Sequence, residues 1–141
     1  RRGGLGFGPL CALTAEAMSV EAESEGAPGP QPGDPYFLKH EQGVHHRLFP
    51  GVEIRTLAGD RLMLSVVTFE PDSVVPEHSH PHEQMGLMIS GILEFTVGGL
   101  TRVLGPGDQW RIPGGVPHRV VAVNGPAVAL DVFHPVRDDY R

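Results

Sequence analysis

Short runs in which apolar and polar residues alternate, separated by glycine, proline and aspartate, fill the chain from residue 50 onward. Leu93, Phe95 and Val97 alternate with Glu94 and Thr96, as on a strand with one buried face. Leu62, Leu64 and Val66 read the same way and are expected to face the core. The pattern predicts strands near 52–57, 61–69, 74–79, 85–90, 92–97, 100–104, 108–112, 118–123 and 127–134. Gly98-Gly99 suits a two-residue hairpin turn between Glu94–Val97 and Leu100–Val103. No stretch carries the periodicity of a long helix. Eight or nine short strands in about 85 residues predict an all-β domain, a small jelly-roll barrel.

The first 35 residues do not continue this pattern. Residues 19–35 have almost no large apolar side chains and bury too little surface to offset the entropy of ordering, so residues 1–35 are expected to form a disordered tail. The barrel domain is then 36–141, with Tyr36-Phe37-Leu38 opening it as an edge strand or an arm swapped onto a partner. Residues 1–17 have the outline of a signal peptide, a basic Arg1-Arg2 start and a small-residue end, but Gly6, Gly8 and Pro9 break the apolar stretch. Met18-Ser-Val-Glu reads as an ordinary start, which would put residues 1–17 upstream of it and the protein in the cytoplasm, with secretion as the alternative.

Composition narrows the field. The 141 residues include 19 glycines and 14 prolines, which suits many tight turns in one domain. Of the net charge of −6, residues 1–35 supply −3, from five acidic and two basic side chains. The remainder has no basic stripe, so nucleic acid is not an expected partner. Cys11 is the single cysteine and cannot form an internal disulfide. No apolar run approaches the roughly 18–20 residues that span a bilayer, so no membrane partner is expected.

The chemistry is concentrated in Pro76-Glu-His-Ser-His-Pro-His-Glu-Gln84, which holds three of the eight histidines. Strand parity puts His78 and His80 on one side, and a third imidazole from a distant strand, His118, would complete a divalent-metal site. His82 shares that parity, but Pro81 and Glu83 beside it suggest a turn. His40, His45 and His46 lie in a polar segment and are expected to be solvated. Trp110 is read as a packed strand residue, and Gly91, Gly105, Gly107 and Gly115 as turn residues.

The string His78-Ser-His80-Pro-His-Glu-Gln84 before Gly91 resembles the first cupin motif. Gly107-Asp, Pro113, Gly115 and His118 resemble the second. The resemblance implies a double-stranded β-helix and makes His78, His80, Gln84 and His118 the ligands of one divalent ion, Ni, Zn, Mn or Fe. The commoner carboxylate ligand is here the neutral amide of Gln84, and Glu83, one position away, should face outward. A neutral ligand set leaves the ion's full charge in the site, which favours polarisation of an anionic or carbonyl-bearing substrate. Small cupins also commonly pair through sheet edges, so a homodimer is expected.

The last strand adds a second cluster. Asp131 and Phe133 share one face and Leu130 and Val132 the other; if the first face lines the barrel, a carboxylate and an aromatic ring lie near the metal. Arg137, just beyond Pro135, could then hold a substrate carboxylate with its planar fork. In a purely structural role, Asp131 would pair with Arg137 or Arg119. This ending and the histidine string resemble the pectin-degradation cupins called KdgF, over roughly residues 45–140. Members of that family help convert 4,5-unsaturated monouronates into linear keto sugar acids. The resemblance implies a small carboxylate sugar as substrate, with Asp131 as acid–base, Arg137 as anchor and Phe133 packed on the ring. Polyketide cyclisation and metal-dependent oxygenation are the alternative activities, and a ligand-binding or sensory cupin the non-enzymatic one.

Overall fold

The computed structural model describes residues 31–141. The signal-peptide question and all but the last few residues of the expected tail lie outside the described residues. Ten strands follow a single 3-10 turn, His40–Gln42: β1 Val44–Phe49, β2 Val52–Ala58, β3 Met63–Phe69, β4 Val74–His78, β5 Glu83–Ser90, β6 Leu93–Val97, β7 Leu100–Leu104, β8 Gln109–Ile112, β9 His118–Ala122 and β10 Ala127–His134. A second 3-10 turn, Asp138–Tyr140, follows β10. Among the described residues no helix is long and apolar enough to cross a membrane.

The strands form two antiparallel sheets, β1-β2-β3-β10-β5-β8 and β4-β9-β6-β7. Their facing sides interdigitate into one core, with Ile54, Met88, Leu93, Ile112 and Ala129 all at most 2% exposed. This is the expected double-stranded β-helix. The β6–β7 hairpin pairs Val97 with Leu100 across Gly98-Gly99, and both glycines have positive φ, 54° and 81°. Two successive positive φ values give the turn whose twist matches the strands it joins.

Three expectations need correction. Residues 44–49 are not a polar lead-in but the edge strand β1, paired with β2 in register from Val44–Thr56 to Arg47–Glu53. The alternation of Val44, His46 and Leu48 with His45 and Arg47 is masked by its histidines. His45 pairs with Glu53 at 3.0 Å, whereas the His46 Nε2 is buried, with the ring 5.7 Å from that of Tyr140. Tyr36-Phe37-Leu38 is not a strand; it crosses the outside of the sheet as an extended arm, 40–85% exposed.

The third correction concerns β3, whose buried face is Met63, Ser65, Val67 and Phe69. Leu62 and Leu64 point outward at 53% and 43% exposure. Both faces of this strand are largely apolar, so hydrophobicity alone could not choose between them. The inward position least expected from hydropathy, Ser65 at 1% exposure, lies on the wall of the functional cavity.

Candidate metal centre

β4 and β9 are neighbours, with His78 directly opposite His118, and their rings lie 4.2 Å apart between centroids. β4 stops at His78, so strand parity does not aim His80. The turn at residues 79–82 brings it back instead, with its ring 5.0 Å from that of His118 and 5.8 Å from that of His78. The second motif holds this turn in place. A Cβ at Gly114 would collide with the carbonyl oxygen of Pro81, and the Gly115 N–H donates to the His80 carbonyl at 2.7 Å. The Gly-Gly pair is therefore a docking surface for the histidine turn.

One nitrogen from each of the three rings lies within 4.8 Å of the other two. The outer nitrogens explain the convergence. His78 Nδ1 lies 2.8 Å from the Pro76 carbonyl, His80 Nδ1 3.0 Å from that of His82, and His118 Nδ1 2.9 Å from that of Val116. A carbonyl only accepts, so each ring carries its proton on Nδ1 and turns an Nε2 lone pair inward. His82 contributes that carbonyl and not its ring, whose Nδ1 is buried without a partner.

Gln84 approaches from β5, 7% exposed, with Oε1 3.1 Å from His80 Nε2. Its amide donates through Nε2 to Asp131 Oδ1 at 2.8 Å, which fixes the orientation of the amide. His80 Nε2 and Gln84 Oε1 thus meet as two electron-pair donors with no proton between them. A bound cation resolves that conflict, and the neutral N3O donor set suits Zn, Ni, Fe or Mn. Burial, then the nearby Arg137 and His118, push the His80 pKa down to about 4, and burial lowers that of His118. Both rings are therefore neutral, as metal ligands must be.

Asp131 lies on β10 between β3 and β5, opposite Ser65 and Gly86. Gly86 is in turn opposite Trp110 on β8. A Cβ at Gly86 would collide with the indole, so the missing side chain lets Trp110 lie across β5 and reach Asp131 Oδ1 at 3.1 Å. Trp110 also packs on Phe95, 4.5 Å between centroids; it is the packed residue expected, with an added polar task. Burial raises the Asp131 pKa to about 6, although the Gln84 and Trp110 hydrogen bonds and Arg137 oppose it. Both donors sit on Oδ1.

Arg137 does not pair with Asp131. Its Nε and Nη2 donate to Asp139 at 3.3 and 2.7 Å, and its guanidinium stacks 3.9 Å from the Tyr140 ring centroid and 5.2 Å from that of Phe133. The residue is nonetheless 9% exposed and lines the same cavity as His78, Gln84, His118, Asp131 and Phe133. Tyr140 completes that wall, tied to β2 by the Thr56 hydroxyl, which donates to its carbonyl at 2.8 Å. Tyr140 and Gly86 are the site residues that the sequence did not reveal. The cue for Gly86 was a glycine inside an apolar strand, and the cue for Tyr140 an aromatic residue three positions after Arg137. Glu83 faces outward, as expected, and pairs with Arg111 at 3.0 Å.

The model of the cupin domain matches residues 65–133, a span that contains every residue of the histidine–glutamine–aspartate cluster. KdgF from Halomonas sp. superposes with a TM-score of 0.67 at 31% identity, over 75% of this chain and 97% of that one. The chain belongs to the cupin family. A second small cupin, the RmlC-like protein of Shewanella frigidimarina, aligns with a TM-score of 0.70 at 26% identity, over 77% of this chain and 97% of that one. Dimethylsulfoniopropionate lyase DddQ of Ruegeria pomeroyi is 36% identical over 74 residues, 52% of this chain and 37% of that protein. This cupin thus spans little more than a third of that curated relative. The family likeness covers the barrel and the cluster of three histidines, a set able to hold a metal ion.

Proposed function

We propose that this cupin is a metal-dependent enzyme acting on a small carboxylate sugar, converting 4,5-unsaturated monouronates to linear keto sugar acids. The observation that carries the reading is the juxtaposition of a buried carboxyl with pKa about 6, a metal-ligand cluster one glutamine away, and an arginine on the same wall. The KdgF likeness supports the choice of substrate.

His78, His80, His118 and Gln84 would hold one divalent ion, and the chemistry it supplies when bound is Lewis-acid polarisation of substrate oxygens. Arg137 receives the substrate carboxylate. Asp139 occupies its Nε and Nη2, and among the described residues Nη1 has no hydrogen-bond partner, so that end is free for the anion. Phe133 packs against the sugar. Asp131 moves the proton: Oδ1 is engaged by Gln84 and Trp110, so Oδ2 takes a proton from hydroxyl or water and returns it to the enol carbon. A pKa near neutrality allows both directions.

The cavity holds about 50 Å³, room for a few waters and less than a sugar acid. A sugar acid needs more room, and the Arg137–Tyr140 turn on the cavity wall is the segment that would have to yield, at the cost of the Thr56–Tyr140 hydrogen bond and of the packing of Tyr140 on the core. A homodimer is part of the proposal. The test is incubation of metal-loaded protein with unsaturated galacturonate, following the absorbance of the 4,5-double bond. Loss at the rate of a protein-free control refutes the reading, and turnover of dimethylsulfoniopropionate instead would replace it with a lyase like DddQ.

A further inference from the structure

One row of polar side chains crosses the inner face of the six-stranded sheet. Register places Thr56 on β2 opposite Ser65 on β3, and Ser65 opposite Asp131 on β10. The row continues through Gly86 on β5 to Trp110 on β8. The next inward-facing row, Ile54, Val67, Ala129 and Met88, is apolar throughout. Going inward along this sheet, polar chemistry therefore ends at the row of Asp131.

Within that row every polar side chain but one is engaged by the protein. Thr56 donates to the Tyr140 carbonyl at 2.8 Å, the indole of Trp110 to Asp131 Oδ1 at 3.1 Å, and Gln84 to the same oxygen at 2.8 Å. Ser65 is 1% exposed and lines the cavity, yet among the described residues its hydroxyl has no hydrogen-bond partner. A buried hydroxyl without a partner costs stability. Alanine, nearly the same size, would fill the position without that cost, so the hydroxyl serves a ligand and not the fold. Its neighbour is well placed for the same ligand. Residues directly opposite on antiparallel strands have Cβ atoms about 4.5–5.5 Å apart, so an oxygen atom set between Ser65 and Asp131 reaches both side chains.

The geometry points to a subsite in which the Ser65 hydroxyl and Asp131 Oδ2 together grip one hydroxyl of the substrate. A hydroxyl both donates and accepts, so it fits this pair whether or not the carboxyl carries its proton. When the ligand's O–H points at Oδ2, its oxygen accepts from Ser65. Negative charge that grows on that oxygen during turnover then meets a donor already aimed at it. Ser65 keeps its own proton, and no bond to it forms or breaks. Arg137, 5.2 Å from the Phe133 ring, marks the other end of the same wall. The ligand class is therefore a carboxylate that carries a hydroxyl several atoms away, held carboxylate-outward over Phe133. This deepens the uronate reading and rests on it.

Ser65→Ala in the metal-loaded full chain tests the subsite. It should melt at or above the wild-type temperature, because only an unpaired hydroxyl is lost; a structural serine would lower it. Calorimetry should show D-galacturonate, which has the carboxylate and hydroxyls but no double bond, bound about 3–10-fold more weakly, the worth of one neutral hydrogen bond. Cyclohexanecarboxylate, of similar size without hydroxyls, should bind the variant and wild type alike. With unsaturated galacturonate, kcat/KM should fall by roughly 10²–10³-fold, the effect of removing one donor to a developing oxyanion. Wild type that binds no galacturonate, equal galacturonate affinity in both proteins, or an equal loss for cyclohexanecarboxylate overturns the proposal. A wild type that binds galacturonate through Ser65 but leaves the unsaturated sugar untouched upholds the subsite and refutes the uronate reaction.

Discussion

Asp131→Asn separates the catalytic carboxyl from a structural one, because the two roles predict opposite changes in stability. The substitution keeps the shape. Asn Oδ1 accepts from Gln84 and Trp110 as before, and the amide nitrogen replaces Oδ2. What disappears is the buried charge. Raising this carboxyl from its ordinary 3.8 to about 6 means that its charged form costs about 3 kcal/mol more in the folded protein than in the unfolded chain. Because the folded pKa is the higher one, the folded state binds the proton more tightly between these values. The group's favourable contribution is therefore complete below pH 3.8 and is lost as pH rises through about 6.

In protein stripped of metal, the asparagine variant should match wild type near pH 4 and exceed it at pH 8. Half of that cost would already raise the melting temperature by about 6–12 °C for a domain of this size. Turnover by the metal-loaded variant should fall by about 10²–10⁴-fold at unchanged metal content. Thermal scans from pH 4 to 8 and a steady-state assay on the same preparation measure both. An Asp131–Arg137 ion pair would predict a variant less stable at pH 8. Activity within a factor of a few of wild type refutes the acid–base role, and a melting difference independent of pH refutes the buried charge.

His80→Ala and His118→Ala should each release the metal, measured by elemental analysis, because either loss removes one of the converging nitrogens. Full retention in both variants would sink the site. Gly86→Ala should destabilise the fold by about 1–3 kcal/mol, the usual cost of overpacking, and shift the Trp110 fluorescence; an unperturbed spectrum would mean that the indole does not cross β5 as described. Arg137→Lys and Tyr140→Ala should raise KM more than they lower kcat, since an ammonium lacks the planar fork and the unstacked guanidinium loses its fixed plane. Tyr140→Phe should restore wild-type KM, and failure to do so would assign the phenol oxygen a role of its own.

What the sequence made legible follows from how locally each feature is encoded. Strands with contrasting faces, such as Leu93–Val97, announce their inward residues. β3 does not, because Leu64 and Val66 outside are as apolar as Val67 and Phe69 inside. β1 was missed because His45 and His46 look solvated as a pair, although one pairs with Glu53 outside and the other lies against Tyr140.

The metal cluster was legible even though one of its premises was wrong. Parity along a continuous strand would have aimed His78 and His80 alike, but the strand ends at His78, and His80 is aimed by a turn seated on Gly114-Gly115. The two motifs are spaced as they are because the second is the physical support of the first. The same dependence runs through Asp131. Its proton affinity is raised by burial and held back by Gln84, Trp110 and Arg137, and the indole reaches it only because Gly86, in register between them, has no side chain. A residue that acts by being small leaves no chemical signature in a sequence. Gly86 therefore becomes readable only when the indole that crosses it and the carboxylate that the indole reaches are seen together.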